Sequence, residues 1–365
     1  MSVTLHPEIM SKNYTTPLLL AMVLSGVSIH MQAQTDKPAK WRPECGAELT
    51  SEVQTNFRNE YNYVNLLRLR ASLPLTRSAS VELATLSASK TRDERLVDDH
   101  LVFSNIESDN IPLALAVAGA SWHAAERHTL FVGVRNMNED YFTSNVTSFF
   151  TNSSCGVFPT ISCNYPIANY PVASLGMHYA YQTPRFGLQA SFYNGMGYNR
   201  FGGHHSVFRF SPKQDGIFAI AQGEYHHRGT PYYLGACIHH SAVGARSTFW
   251  AYAEPRINDH ISLIAGYSHA MHGKKAPVPD AEPVVPYEDA PCHDFAGAGA
   301  LFTLGKTELG LFSAYANLSP GYEWTTELSC KHRFNDHIYV QPTLHFIVNN
   351  HTTCSAALLR FGIEY

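Results

Sequence analysis

Arg68 and Arg70 stand two residues apart in a segment where apolar and polar side chains alternate. Glu323, Glu327 and Lys331 stand four apart in another, and Arg360 and Glu364 end the chain in a third, next to a segment carrying Tyr339 and Gln341. On an extended backbone, residues an even number apart share a face. Each set therefore presents its charged groups together, opposite Leu67, Leu69, Ala71 and Leu73 in the first case and Trp324, Thr326 and Leu328 in the second. Guanidinium, carboxylate and amide groups on one face bond reversibly to hydroxyls, while aromatic rings cover apolar ring faces. No Ser–His spacing singles out a nucleophile. The 20 histidines include adjacent pairs at His204-His205, His226-His227 and His239-His240. Neighbours on a strand point to opposite faces, so no metal site and no cofactor are expected.

The bulk properties narrow the class. Charged residues make up 15% of the chain and aromatics 12%, with 20 Tyr and 20 Phe, low charge and high aromatic content for a soluble domain. A net charge of −4 points away from nucleic acid, and a mean hydropathy of −0.17 points away from a helical membrane protein. Residues 1–33 read as an export signal: Lys12, then the apolar run Pro17 to Ile29, then small residues near Ala33. Met10 is an alternative start, and an uncleaved anchor is the alternative to cleavage. Residues 34–43 form a polar periplasmic linker. Cys45 lies too far downstream of the apolar run for lipid attachment.

From residue 44 to 365 no segment reads as a long amphipathic helix. Segments of about ten alternating residues recur between turns, the pattern of a transmembrane β-barrel. Sixteen are expected: 44–57, 62–74, 79–90, 113–122, 128–135, 173–181, 186–194, 215–227, 231–241, 247–257, 260–271, 294–304, 306–317, 322–334, 337–349 and 354–365. Connections at 75–78, 123–127, 182–185, 228–230, 258–259, 305 and 335–336 are short, and those at 91–112, 136–172, 195–214 and 272–293 are long. Short and long connections fall at alternate positions, so one rim collects tight turns, as on the periplasmic side of outer-membrane barrels. A bacterial outer membrane is the expected location. The alternating last strand ends on an aromatic, Tyr365, the form of a signal to barrel-assembly machinery.

The stretch between Arg135 and Ala173 is too long for a plain connection. It is expected to fold inward and narrow the pore. Arg135, Asn136, Asn138, Glu139 and Asp140 then reach the constriction. Tyr141, Phe149 and Phe150 then either pin the loop to the wall or line the solute path. Seven cysteines leave at least one unpaired; Cys155 and Cys163, eight apart in this loop, are the pair expected to bridge, the alternative being two free thiols.

The segments VDDHLVFSNIES, GVRNMNEDYFTSNVTSFFTNSSCGVFPTIS and YPVASLGMHYAYQ resemble the carbohydrate-selective porin family, the OprB-type porins. Gly133–Asp140, Ser148–Gly156 and Tyr170–Gly176 carry the likeness, and Phe208 to Tyr225 is similar to a later strand of the family. The match is strongest over residues 95–240; the chain is short for the family, and its loops are rich in His. The resemblance implies an all-β, antiparallel barrel of about 16 strands with a long inward loop, passing sugars by passive diffusion. Its partners would be outer-membrane lipid and sugar solutes, as a monomer or a trimer. The rival expectations are a non-selective porin and a structural or adhesive barrel without an open pore.

Overall fold

The computed structural model describes residues 42–365 apart from 126, 243, 272–291 and 351. The expected export signal and the linker up to residue 41 lie outside the described residues. The chain winds into a closed antiparallel sheet in which each strand pairs with the next and the last with the first. The strands are β1 (Glu44–Thr55), β2 (Tyr61–Pro74), β3 (Ala79–Lys90), β4 (Ile111–Ala124), β5 (His128–Arg135), β6 (Ser174–Gln182), β7 (Phe186–Asn194), β8 (Ile217–His227), β9 (Thr230–Ser241), β10 (Gly244–Ala253), β11 (Arg256–Asn258), β12 (Ile261–Met271), β13 (Cys292–Leu304), β14 (Thr307–Leu318), β15 (Gly321–Arg333), β16 (Ile338–Asn349) and β17 (Thr353–Glu364). β10 and β11 are one pass of the wall, interrupted at Glu254-Pro255, because proline has no N–H to give the ladder. Both pieces pair with β12, so the wall has sixteen passes, as the alternation predicts.

Several strand boundaries differ by a few residues from those the alternation predicts. β8 starts at Ile217, not Asp215, because Asp215 is held by Asn194 (2.9 Å) and Arg209 (2.9 Å), and Gly216 follows with φ +76°. β4 extends past both predicted ends. Its register with β3 slips between Ala84 and Thr85, and this bulge turns Leu115 outward while Ala114 and Val117 stay on the inner face.

The alternation separates an inner face from an outer one. On β15, Glu323, Thr325, Glu327 and Ser329 are buried while Tyr322, Trp324 and Leu328 are exposed. On β17, Arg360 is buried between exposed Leu359 and Phe361. Outward aromatics gather toward the rims: Tyr61, Tyr63, Tyr322 and Trp324 at one, Trp122, Phe186, Tyr225 and Tyr365 at the other. Such rings suit both interfaces of a bilayer.

Turns at 75–78, 183–185, 228–229, 259–260, 305–306 and 334–337 share one rim, and the connections 91–110, 136–173 and 195–216 lie on the other. The barrel closes where β1 meets β17, with Glu52 opposite Arg360. Their side chains pair inside the wall, Arg360 Nε donating to Glu52 at 2.7 Å and Nη2 at 2.5 Å.

Candidate functional site: the lumen and its two inward loops

The lumen takes its shape from the connection 136–173, closed at its neck. The Asn136 side chain accepts the N–H of Asn138 (2.8 Å) and donates to Val172 O (2.7 Å), tying the start of the loop to its end. Asn138 accepts the N–H of Tyr170 at 2.9 Å. Asn136 and Asn138, expected at the constriction, thus hold the loop shut on itself.

Beyond the neck the loop crosses the inner wall as an apolar strip. Tyr141 reaches Ser191 (2.9 Å) and Ile220 O (3.1 Å), and the Phe142 ring lies 5.6 Å from that of Trp250 and 5.7 Å from that of Tyr252. Phe158 meets Phe295 at 5.0 Å, and Phe150 meets Phe312 at 5.2 Å. Phe149 lies over Gly310, where a Cβ would come within 2.2 Å of its ring. Each fully buried Phe contributes roughly 2–3 kcal/mol, so this strip alone gives the loop a fixed seat. Phe149 and Phe150, both buried, pin the loop to the wall and leave no ring face bare in the interior.

Polar groups set the register of that seat. Glu327 accepts the N–H groups of Thr151 (2.9 Å) and Asn152 (3.0 Å) and the Asn152 side-chain amide (2.5 Å). Gln341 donates to Phe149 O at 2.8 Å, Tyr165 meets Thr248 at 3.0 Å, and Thr160 donates to Ser268 at 2.7 Å. The connection 91–110 also turns inward. The N–H groups of His100 and Leu101 each reach Glu323 at 2.8 Å, and Ser104 donates to Glu52 at 2.7 Å. The two loops bond to each other, Asn105 N–H to Thr151 O (2.7 Å) and Ser153 N–H to Val102 O (2.9 Å).

This geometry corrects three expectations. Glu323 and Glu327 face inward, yet both are fully buried beneath the loops and act as loop anchors. Arg360 is also buried, committed to Glu52 and to Asn105 (2.6 Å). The reason is shared: a buried charge must be fully partnered, and the loops supply the partners, backbone N–H groups for the two carboxylates and the Asn105 side-chain oxygen for the guanidinium. Cys155 and Cys163 do not bridge. Cys155 is buried in the apolar strip and Cys163 is exposed, and all seven cysteines are free thiols. Burial pushes the Cys155 thiol up from its ordinary value.

The remaining candidates surround open space. A cavity of about 390 Å³ is lined by Arg68, Arg70, Glu82, Arg135, Glu139 and Tyr365, among others. Arg68 pairs with Glu139 across from β2 to the loop neck. Arg70 pairs with Glu48 at 2.9 Å. Arg135 grips Asp140 with two bonds, at 2.7 and 2.6 Å, lies 3.4 Å from Glu82, and packs over the Phe131 ring at 4.6 Å. Lys331 sits over the Tyr339 ring at 3.9 Å, and that ring lies flat on Gly362, where a Cβ would come within 2.0 Å of it. Lys331 and Tyr339 thus face inward but stack on each other.

A second inward row was not singled out from the sequence. Glu224, Tyr233 and Tyr252 stand opposite one another across β8, β9 and β10. Tyr233 and Tyr252 stack at 4.2 Å and 12°, and His226 meets Glu224 at 2.6 Å. The available signal was the even spacing of Glu224 and His226 opposite Tyr225 and His227. In His226-His227 and His239-His240 one ring is turned in and the other out. No group of three or more metal-ligating side chains occurs among the described residues.

No protein-family model matches the chain, and no curated protein matches it in sequence. Solved structures do. A high-pH structure of OprB from Pseudomonas putida superposes with a TM-score of 0.71 at 14% identity, covering 88% of this chain and 94% of that one. An anion-selective porin from Comamonas acidovorans superposes at 0.60 and 12% identity, covering 89% of this chain and 100% of that one. OmpT of Vibrio cholerae, in a form lacking loop L8, gives 0.61 at 9% identity over 89% and 100%. The chain has the sixteen-pass barrel fold of the outer-membrane porins, OprB among them.

Proposed function

We propose that the protein is a passive diffusion channel of a bacterial outer membrane whose lumen favours carbohydrates. The observation that carries this reading is the cavity bounded by Arg68, Arg70, Arg135, Glu82 and Glu139. Its cations are each matched by a carboxylate, so it presents dense hydrogen-bonding groups with little net field. A neutral polyol gains from such a surface, since guanidinium groups donate to its hydroxyls and carboxylates accept from them. Tyr233, partly exposed and backed by the buried ring of Tyr252, offers an apolar surface for a sugar ring beside Glu224. A channel needs contacts that are weak and repeated, so that solute also leaves. The reading assigns no reaction to the chain. The porin fold supports the outer-membrane location.

The experiment is single-channel recording in planar bilayers. Stepwise conductance that neutral sugars reduce supports the reading. Conductance indifferent to sugars overturns selectivity and leaves a general porin. Absence of conductance overturns the channel. A second reading, a plugged barrel with a structural or adhesive role, draws on one observation: two loops, 91–110 and 136–173, occupy the interior together.

A further inference from the structure

The connection 195–216 does the reverse of the two inward loops. It folds out over the wall. Tyr198 and Val207 bury Leu115 and Val134, which face outward on β4 and β5, with Leu175 of β6 packed against them. Phe210 lies 6.4 Å from Phe192, outward on β7. The loop therefore sits on the membrane-facing side of the barrel, at the rim that carries the long connections.

Its chemistry is one-sided. From Met196 to Gln214 there is no Asp or Glu, while Arg200, Arg209 and Lys213 are cationic and His204-His205 stands at the tip. The next acid, Asp215, is buried and held by Arg209 and Asn194. Arg209 also donates to His204 O at 2.8 Å and to Gln214, so it braces the loop. Arg200 and Lys213 are exposed and pair with no carboxylate among the described residues. Beside them Phe201, Phe208 and Phe210 are each about half exposed, at 49%, 50% and 48%. Three large rings bared together on one short loop form a patch of the kind that marks an interaction surface.

We propose that this loop docks onto phosphate-bearing lipid headgroups of the outer leaflet. The rings enter the interfacial layer and the cations meet the phosphates, the arrangement by which basic aromatic segments bind anionic membrane surfaces. The site rests on the outer-membrane reading, which places this rim on the outer side. Charge complementarity selects the occupant: the patch is positive throughout, and bilayer phosphate is the negative group available along the outside of the wall.

The test uses the full chain in neutral detergent with lipid A as probe, binding being read by native mass spectrometry and titration at low salt. The expected result is saturable lipid A binding that inorganic phosphate at equal concentration does not displace. Arg200→Ala with Lys213→Ala should weaken it about 10- to 30-fold, at roughly fivefold per surface cation. Phe201→Ser with Phe208→Ser should weaken it as well. Heat-modifiable gel migration verifies that each variant keeps its barrel. No lipid A binding, or equal binding by wild type and variants, overturns the proposal. So does displacement by inorganic phosphate, or a change of oligomeric state in the Phe variants, which would make this face a contact between copies. Conductance of the same preparations is recorded separately, so failure of the channel reading and failure of the lipid site are told apart.

Discussion

The backbone N–H of Thr151 lies 2.9 Å from a carboxylate oxygen of Glu327, 176 residues further along the chain. This bond, with its neighbour from Asn152, fixes where the long loop stops inside the barrel. A buried carboxylate accepting several N–H groups is a strong anchor, and removing it leaves those donors without partners. Glu327→Ala should destabilise the loop's seat by about 2–4 kcal/mol. The barrel, closed by its sixteen-pass ladder, should persist. Single-channel recordings of the variant should show larger or noisier conductance. Unchanged, quiet conductance would remove the anchoring role.

The open face behaves differently. Arg68 and Arg135 border the cavity and each is matched by carboxylates of the loop neck. Arg68→Ala leaves Glu139 without its cation and should shift selectivity toward cations. Arg70→Ala should do the same through Glu48. The check is the reversal potential in a salt gradient together with the half-blocking concentration of a neutral sugar. If neither moves in either variant, these arginines do not face the solute.

Acidity enters through the loop 91–110. Burial, and next the nearby Glu323, push the Asp99 carboxyl up to about 7, while the Phe103 N–H (2.7 Å) and Arg95 oppose the shift. A carboxyl with a raised folded value binds its proton more tightly in the folded state than in the unfolded one. Its contribution is therefore present at low pH and lost as pH rises from about 4 to about 7. Opening of this loop, read by hydrogen exchange at His100 and Leu101, should become easier by roughly two orders of magnitude across that window, beyond the intrinsic pH dependence of exchange. Asp99→Asn should flatten the response. A wild-type profile flat over the same range would exclude Asp99 as its source.

The thiols divide by burial. Cys45 and Cys163 are exposed, whereas Cys155, Cys237 and Cys292 are buried. A maleimide reagent should label Cys163 in the folded barrel and reach Cys155 only after unfolding, and neither should require a reductant first. A Cys155–Cys163 linked peptide in a non-reducing digest would contradict this arrangement.

The barrel was legible because the period-two pattern is kept on both sides, by apolar groups outside and by polar groups within. Leu67, Leu69, Ala71 and Leu73 face out, as their spacing requires, and so do Trp324 and Leu328. The faces of the candidate residues were legible for the same reason. What lies above each inward residue was not. Arg70 on β2 and Glu327 on β15 carry the same local pattern, yet one borders open space and the other lies under a loop. That difference is decided by where Thr151 and Asn152 settle, and spacing along a strand holds no record of a partner so far away in the chain. The outward course of 195–216 was hidden likewise, because Val207 meets Leu115 only after the bulge on β4 has turned Leu115 out.

The pairing of Glu52 with Arg360 has a consequence for how the molecule is made. These two side chains belong to the first and last strands, so neither finds its partner until all the intervening wall exists. A chain stalled before β17 carries an unmatched carboxylate on its inner face, and such a group resists transfer out of water. The closing pair thus favours completed cylinders over open sheets, and closure of the wall becomes tied to the arrival of the C-terminal strand.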